Sequence, residues 1–153
     1  MSPVLVDSNV LLDIVTDDPV WGAWSAETLA RTADREPLVI NPVTIALDER
    51  GRIYVSESHT DVTDPNLVAR ISVFDKNGKF LRTIGKTGMG PGEFRTPHAI
   101  EFDSKGRLIV ADRHNHRIQI LTKKGKFVRE YDSFGRISGL AIDKNDVIYT
   151  TDS

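Results

Sequence analysis

Three stretches of this chain align without a gap, and a chain made of short repeats can bury its apolar faces only by stacking one repeat on the next. They read ALDERGRIYVSES from Ala46, EFDSKGRLIVADR from Glu101 and AIDKNDVIYTTDS from Ala141. Each carries an aspartate (Asp48, Asp103, Asp143), a turn, a three-residue β-favouring run and then a second acid (Glu57, Asp112, Asp152). Two continuations also align, RISVFDKNGKFLRTI from Arg70 and RIQILTKKGKFVREY from Arg117. In them Ile71 and Val73, and Ile118 and Ile120, alternate with polar neighbours, which predicts half-buried strands, and Asn77-Gly78 is a hairpin signal. Each full repeat therefore reads as a four-stranded antiparallel meander.

The spacing is 55 residues from Asp48 to Asp103 and 40 from Asp103 to Asp143. Loop insertions account for the excess: eight residues between Glu57 and Arg70, and seven between Gly78 and Asp103. The basic period of about 40 is that of a β-propeller blade. Residues 44–153 hold two full blades and half of a third. Propellers close with about four to eight blades, because each blade buries its faces only against neighbours. One or two apolar blade faces are thus expected to be bare.

Residues 1–43 differ in kind. They carry both tryptophans, seven acids and two bases, against fifteen acids and eighteen bases in the remainder. Val4-Leu5-Val6 reads as a short buried strand ending at Asp7-Ser8-Asn9, where a helix starts, with Val10, Leu11 and Ile14 on one face. Asp18 and Pro19 mark a second helix start, with Trp21, Trp24, Thr28 and Leu29 as its apolar stripe to about Asp34. Leu38-Val39-Ile40 is a second buried strand. A β-α-α-β unit of this kind implies a parallel pair of strands. The expected architecture is mainly β: an incomplete propeller (44–153) preceded by a short α/β segment (1–43).

Composition lies within the range of soluble globular proteins and names no function. With no cysteine there is neither a disulfide framework nor a thiolate metal site. No run approaches the roughly 18 apolar residues of a membrane span, and the N-terminus lacks the pattern of a signal peptide, so the chain is expected in the cytoplasm. A net charge of −2 gives no global attraction to nucleic acid. Lys123, Lys124, Lys126 and Arg129, with Lys76, Lys79 and Arg82 one repeat earlier, read as a solvated outer edge that discourages strand addition.

The stretch GKTGMGPGEFRTPHAIEFDSKGRLIVADRHNHRIQIL resembles NHL-repeat propellers, and among them bacterial relatives of peptidylglycine amidating lyase, which are six-bladed. In that family the proline-histidine step supplies a zinc ligand at the central channel, and an arginine after the VAD strand lies near the substrate. The resemblance carries these roles to His98, after Pro97, and to Arg113. Catalytic zinc needs three ligands and an open position. His59, His114 and His116 do not fall where the family's other ligands do. On the residues alone His98 lines the channel without metal, and Arg113 is a turn or ion-pair residue.

The stretches VLVDSNVLLDIVTDDP and PLVINPV resemble the N-terminus of PIN-domain nucleases of the toxin type. That resemblance implies that Asp7 helps to bind magnesium for RNA cleavage, with Asn9 beside it. The family's next acid would fall at Leu47, which cannot ligate a metal. Read locally, Asp7 is a helix N-cap.

The reading that follows is a binding or interaction scaffold, without catalysis and without a cofactor. Its partner is a second copy of the chain or another propeller fragment. Three alternatives stand beside it: a zinc-dependent lyase centred on His98 and Arg113, a magnesium-dependent ribonuclease centred on Asp7, and a fusion of two gene fragments with no function of its own.

Overall fold

The computed structural model describes residues 4–6, 19–20, 22–33, 38–40, 45–58 and 68–152. The chain divides into two compact units, Met1–Asn41 and Pro42–Ser153.

In the first unit β1 (Val4–Val6) pairs in parallel with β2 (Leu38–Ile40), Val4 opposite Leu38, as a strand-helix-strand order requires. The helix between them, α1 (Gly22–Ala33), starts three residues later than Pro19 predicts, since Pro19 and Val20 form a turn. Its buried positions are Gly22 and Ser25, with Thr28 half-buried, whereas Trp24 is exposed. Small residues at i and i+3 give the helix its close-packing side, and the expected stripe through Trp24 is corrected accordingly. The predicted earlier helix, Trp21 and the Leu29 side chain lie outside the described residues.

The second unit is a stack of antiparallel sheets. Blade 1 is the meander β3 (Ile45–Leu47), β4 (Ile53–Ser58), β5 (Ala69–Phe74) and β6 (Phe80–Ile84). Blade 2 repeats it as β7 (Pro97–Phe102), β8 (Leu108–Asp112), β9 (Arg117–Leu121) and β10 (Phe127–Tyr131). A half-blade follows, β11 (Ile137–Ile142) paired with β12 (Ile148–Asp152). Among the described residues no helix is long and apolar enough to cross a membrane.

One turn design makes the hairpins. Oδ1 of Asp48 accepts the N–H of Arg50 and Arg52, Asp75 those of Asn77 and Lys79, Asp103 those of Lys105 and Arg107, and Asp143 those of Asn145 and Val147. The residue three places after the aspartate is left-handed: Gly51, Gly78 and Gly106, but Asp146 (φ 64°) in the last hairpin. Asp146 is held by a contact outside its own turn, accepting from Ser104 N at 2.8 Å and Ser104 Oγ at 2.7 Å, so it links the half-blade to blade 2.

Two apolar layers hold the stack. Between blades 1 and 2 lie Tyr54, Ile71, Val73, Phe94, Ile100, Leu108, Val110 and Leu121. Between blade 2 and the half-blade lie Ala99, Ile109, Ala111, Ile118, Ile120 and Ile137, with Leu140 and Ile148 against them. Blade 2 is therefore covered on both faces, and every residue of β8 and β9 is buried. The expectation of half-buried strands is corrected here: alternate side chains enter different layers, and their polar neighbours Ser72 and Gln119 are buried too. The two outer faces differ in degree, and Leu47 (59%) and Phe80 (50%) are exposed on blade 1. Ile45, Val55 and Phe74, on the side of blade 1 away from blade 2, are 6%, 2% and 1% exposed, whereas Tyr149 on the half-blade is 56% exposed.

Candidate functional site

The glycine-rich turn that links blade 1 to blade 2 could be read as a phosphate cradle, but its backbone points the other way. Its carbonyls face inward to Arg117. The Arg117 guanidinium, nearly buried, donates to Met89 O (2.8 Å), Gly90 O (3.0 Å) and Glu93 O (2.9 Å), to Asp112 Oδ2 (3.3 Å) and to Glu130 Oε2 (3.0 Å). Gln119 grips the same turn at both ends of its amide, accepting from Gly92 N and donating to Glu93 O. Asp112 completes the clamp, its Oδ1 accepting the N–H of Arg95 and Thr96. Glycine is required where the turn closes on itself: at Gly85 (φ 76°) a Cβ would lie 2.2 Å from the Phe94 ring.

His98 and Arg113 meet at the inner strands. The ladder slips at Pro97/Ala99 in β7 and again at Ile137/Gly139 in β11, and the residues at the two slips, His98 and Ser138, occupy the same place in the repeat. Arg113, in a 3-10 turn after β8, donates Nη1 to Ser138 Oγ at 2.8 Å. Burial, and then the Arg113 charge, lower the pKa of His98 and favour its neutral imidazole. Its Nδ1 is buried without a hydrogen-bond partner. His114 is also lowered, by burial first and then by Arg136, Arg113 and Arg95, and its Nδ1 lies 2.6 Å from Thr96 Oγ1. His116 Nδ1 lies 3.0 Å from Gly135 O.

This is an arginine-rich cluster with one free imidazole nitrogen, and it does not fit a zinc ion. No group of three histidines or carboxylates among the described residues could hold a metal, and the charge that acts on His98 is the Arg113 cation. Chemically the cluster can bind an anion or present a neutral imidazole. Asp7, Asn9 and His59 lie outside the described residues. Leu47 is exposed on β3.

The lysine edge is less uniform than the sequence suggests. Lys123 reaches across to Glu49 of blade 1 and lies over the Phe102 ring, and its backbone carbonyl accepts from Arg82 Nη2 at 2.6 Å. Sequence reasoning missed this bridge, the Arg117 clamp and the Ser104–Asp146 link. The signal for the clamp was the arginine that recurs at the start of both continuations.

The half-blade presents a different kind of site. Its outer strand β12 has one neighbour, β11, in the described sheet. Beside that edge lies an open groove of about 310 Å³ lined by Ile118, Tyr131, Phe134, Asp146, Ile148 and Thr150. In blade 2 the third strand, β9, occupies the equivalent place.

With this geometry in place, comparison with known proteins bears on one part of the chain. Residues 44–107 match the family model described as "6-bladed beta-propeller", and residues 94–121 match the NHL repeat. Residues 44–121 thus carry sequence similar to six-bladed propellers and to the NHL repeat. Human NHL repeat-containing protein 3 is 35% identical over 83 residues, covering 54% of this chain and 22% of that protein. Protein lin-41 of Caenorhabditis elegans is 50% identical over 48 residues, 31% of this chain and 4% of that one. Peptidyl-glycine alpha-amidating monooxygenase B of Xenopus laevis is 35% identical over 104 residues, 62% of this chain and 11% of the relative. The chain thus spans a small share of each. A crystal structure of a protein from Lactobacillus plantarum superposes with a TM-score of 0.51 at 14% identity, over 74% of this chain and 35% of that one, a likeness of fold. Both family matches lie within residues 44–121, and the resemblance of residues 1–43 to nucleases gains no support from them.

Proposed function

We propose that the NHL unit is a protein-interaction module that completes its third blade with a β-strand from another polypeptide, a second copy of this chain or another propeller fragment. The observation that carries this reading is the outer edge of β12, which has no strand partner among the described residues, beside its groove. An edge strand presents a row of free N–H and C=O groups, and β-addition satisfies them while pockets alongside take alternate side chains. Tyr149, Val147 and Ala141 leave apolar surface exposed on the same half-blade, where a following blade would pack. Light scattering on the eluting peak of a size-exclusion column tests the reading. Self-association at micromolar concentration, or capture of a separate propeller fragment, is expected. A well-folded monomer that captures neither would overturn it.

A lyase-type activity is the second reading, favoured by the unpartnered Nδ1 of His98 beside Arg113 and by the identity to the amidating monooxygenase. It predicts turnover of hydroxyglycine peptides that is lost in His98→Ala. The absence of further ligands among the described residues ranks it second.

A further inference from the structure

We infer that the groove beside β12 is selective for an antiparallel strand of the pattern arginine, apolar, small or polar, apolar, large apolar, supplied by a separate propeller-type polypeptide, with the arginine set against Asp152. The inference rests on the interaction-module reading and names the chemistry and register of the strand that reading requires.

The two complete blades supply the template. In blade 1 the ladder sets Glu57 opposite Arg70, Val55 opposite Ser72 and Ile53 opposite Phe74. In blade 2 it sets Asp112 opposite Arg117, Val110 opposite Gln119 and Leu108 opposite Leu121. Both acid–arginine pairs close as ion pairs, Arg70 Nε to Glu57 Oε2 at 2.9 Å and Arg117 Nε to Asp112 Oδ2 at 3.3 Å. The repeat places Asp152, Thr150 and Ile148 of β12 where Asp112, Val110 and Leu108 stand. A strand laid on β12 in the same register therefore brings its first residue opposite Asp152, its third opposite Thr150 and its fifth opposite Ile148.

The groove lies where that register puts the side chains. Residues two and four of a third strand face the following blade: Ile71 and Val73 enter the layer toward blade 2, and Ile118 and Ile120 the layer toward the half-blade. Residue five faces the preceding blade, as Leu121 does, and residue three points the same way, as Gln119 does in holding the turn before blade 2. Ile148, Thr150 and Ile118 of blade 2 all line the groove, so it stands ready for residues three and five. At the far end Asp152 is exposed, and its Oδ2 accepts the N–H of Gly135 at 2.7 Å, much as Asp112 Oδ1 accepts those of Arg95 and Thr96. An exposed carboxylate at that position is the charge complement of an arginine that opens the incoming strand.

The same template selects the source of the strand. The chain's own strands of this pattern, β5 and β9, lie inside their sheets, between β4 and β6 and between β8 and β10. Both are buried along most of their length, so a second copy could donate one only by opening a blade. A separate polypeptide meets no such cost. Residues two and four of its strand would lie beside Tyr149 and Thr151, which are exposed on the face away from blade 2. A partner that brings a further blade with its strand covers that face as well, which is why the occupant is of the propeller type.

The test uses the full chain and a fluorescent peptide with the sequence of residues 115–124, NHRIQILTKK. Saturable binding by anisotropy is expected. Alanine in place of the peptide's arginine should weaken it about tenfold, and so should Asp152→Asn in the chain, which keeps an acceptor for Gly135 but loses the charge. Asp152→Lys should reverse the preference, binding a peptide with glutamate in place of arginine better than the parent peptide. Lysine in place of the peptide's leucine should abolish binding, because that side chain enters the groove. No saturable binding to the parent chain, or equal affinity for the arginine and alanine peptides, would overturn the inference. If the chain still captures a propeller fragment or self-associates, only the register falls and strand addition at β12 stands; if it does neither, both fall. Self-association that the peptide abolishes would put a second copy in the groove and overturn the choice of partner.

Discussion

Arg117 is the residue on which blade 2 turns. Its five acceptors come from the glycine-rich turn, from β8 and from β10, so one guanidinium ties three parts of the blade together. Breaking a buried ion pair by removing one partner leaves the other charge uncompensated. Arg117→Ala is expected to lose roughly 3–5 kcal/mol in urea unfolding. Arg117→Lys should recover little of that, because an ammonium cannot reach acceptors spread over a planar fork. Recovery to the parent midpoint by lysine would mean that the charge matters and the geometry does not.

The histidines set the response to acid. His98 titrates below its ordinary value of 6.5 in the folded chain, through burial first and the Arg113 charge second. The unfolded chain takes up the proton first, so stability falls as pH drops below about 6.5 and levels off once the folded-state value is passed. Asp48 acts in a separate window. Burial alone would raise its pKa, but bonds from Arg52 and from the Arg52 and Arg50 amides outweigh that and hold it below 3.8. Its contribution is present above that value and is lost as pH falls through the folded-state pKa. Melting temperatures followed from pH 7 to 5 should decline in the parent chain and decline less in His98→Gln. Equal slopes would remove His98 as a cause.

At the scale of elements, the hairpins were legible because each rests on a local rule. Asp48, Asp75, Asp103 and Asp143 all open turns by accepting amides two and four residues ahead, and at the first three that is readable from a glycine three places after the aspartate. Asp146 broke the pattern because its partner, Ser104, lies 42 residues away and belongs to another blade. The burial of β8 and β9 was misread for a related reason. Gln119 looks like an outward polar residue in an alternating strand, yet both ends of its amide hold the glycine-rich turn. His98 and Arg113 were placed at the inner strands by resemblance, whereas Ser138 became visible only when the two ladder slips were aligned.

The layer between blades 1 and 2 should carry much of the stability, since β8, β9 and β5 all contribute to it. Leu121 is fully buried there, and Leu121→Ala is expected to cost about 2–5 kcal/mol through lost transfer energy and the cavity left behind. Gly125→Ala should be comparably harmful for its size. Its φ is 90°, and a Cβ would sit 2.8 Å from Ile84 of blade 1, so both backbone and packing object. Urea midpoints for the two variants check the point, and a Gly125→Ala chain as stable as the parent would show that the blades do not press together at their outer hairpins.

For the molecule as a whole, the stack is asymmetric in what it leaves open. Blade 2 is satisfied on both faces, while β12 of the half-blade has one strand neighbour among the described residues and a groove beside it. Repeat stacks gain stability from neighbour contacts, so a half-filled repeat is where an added strand contributes most. Hydrogen exchange of the β12 amides, compared in dilute solution and under conditions of self-association or with a captured propeller fragment, tests this most directly. The account predicts that alternate amides of Ile148–Asp152, those pointing away from β11, become protected on assembly while β8 and β9 stay protected throughout. Exchange at those amides that stays equally fast in the assembled and the dilute protein would contradict it.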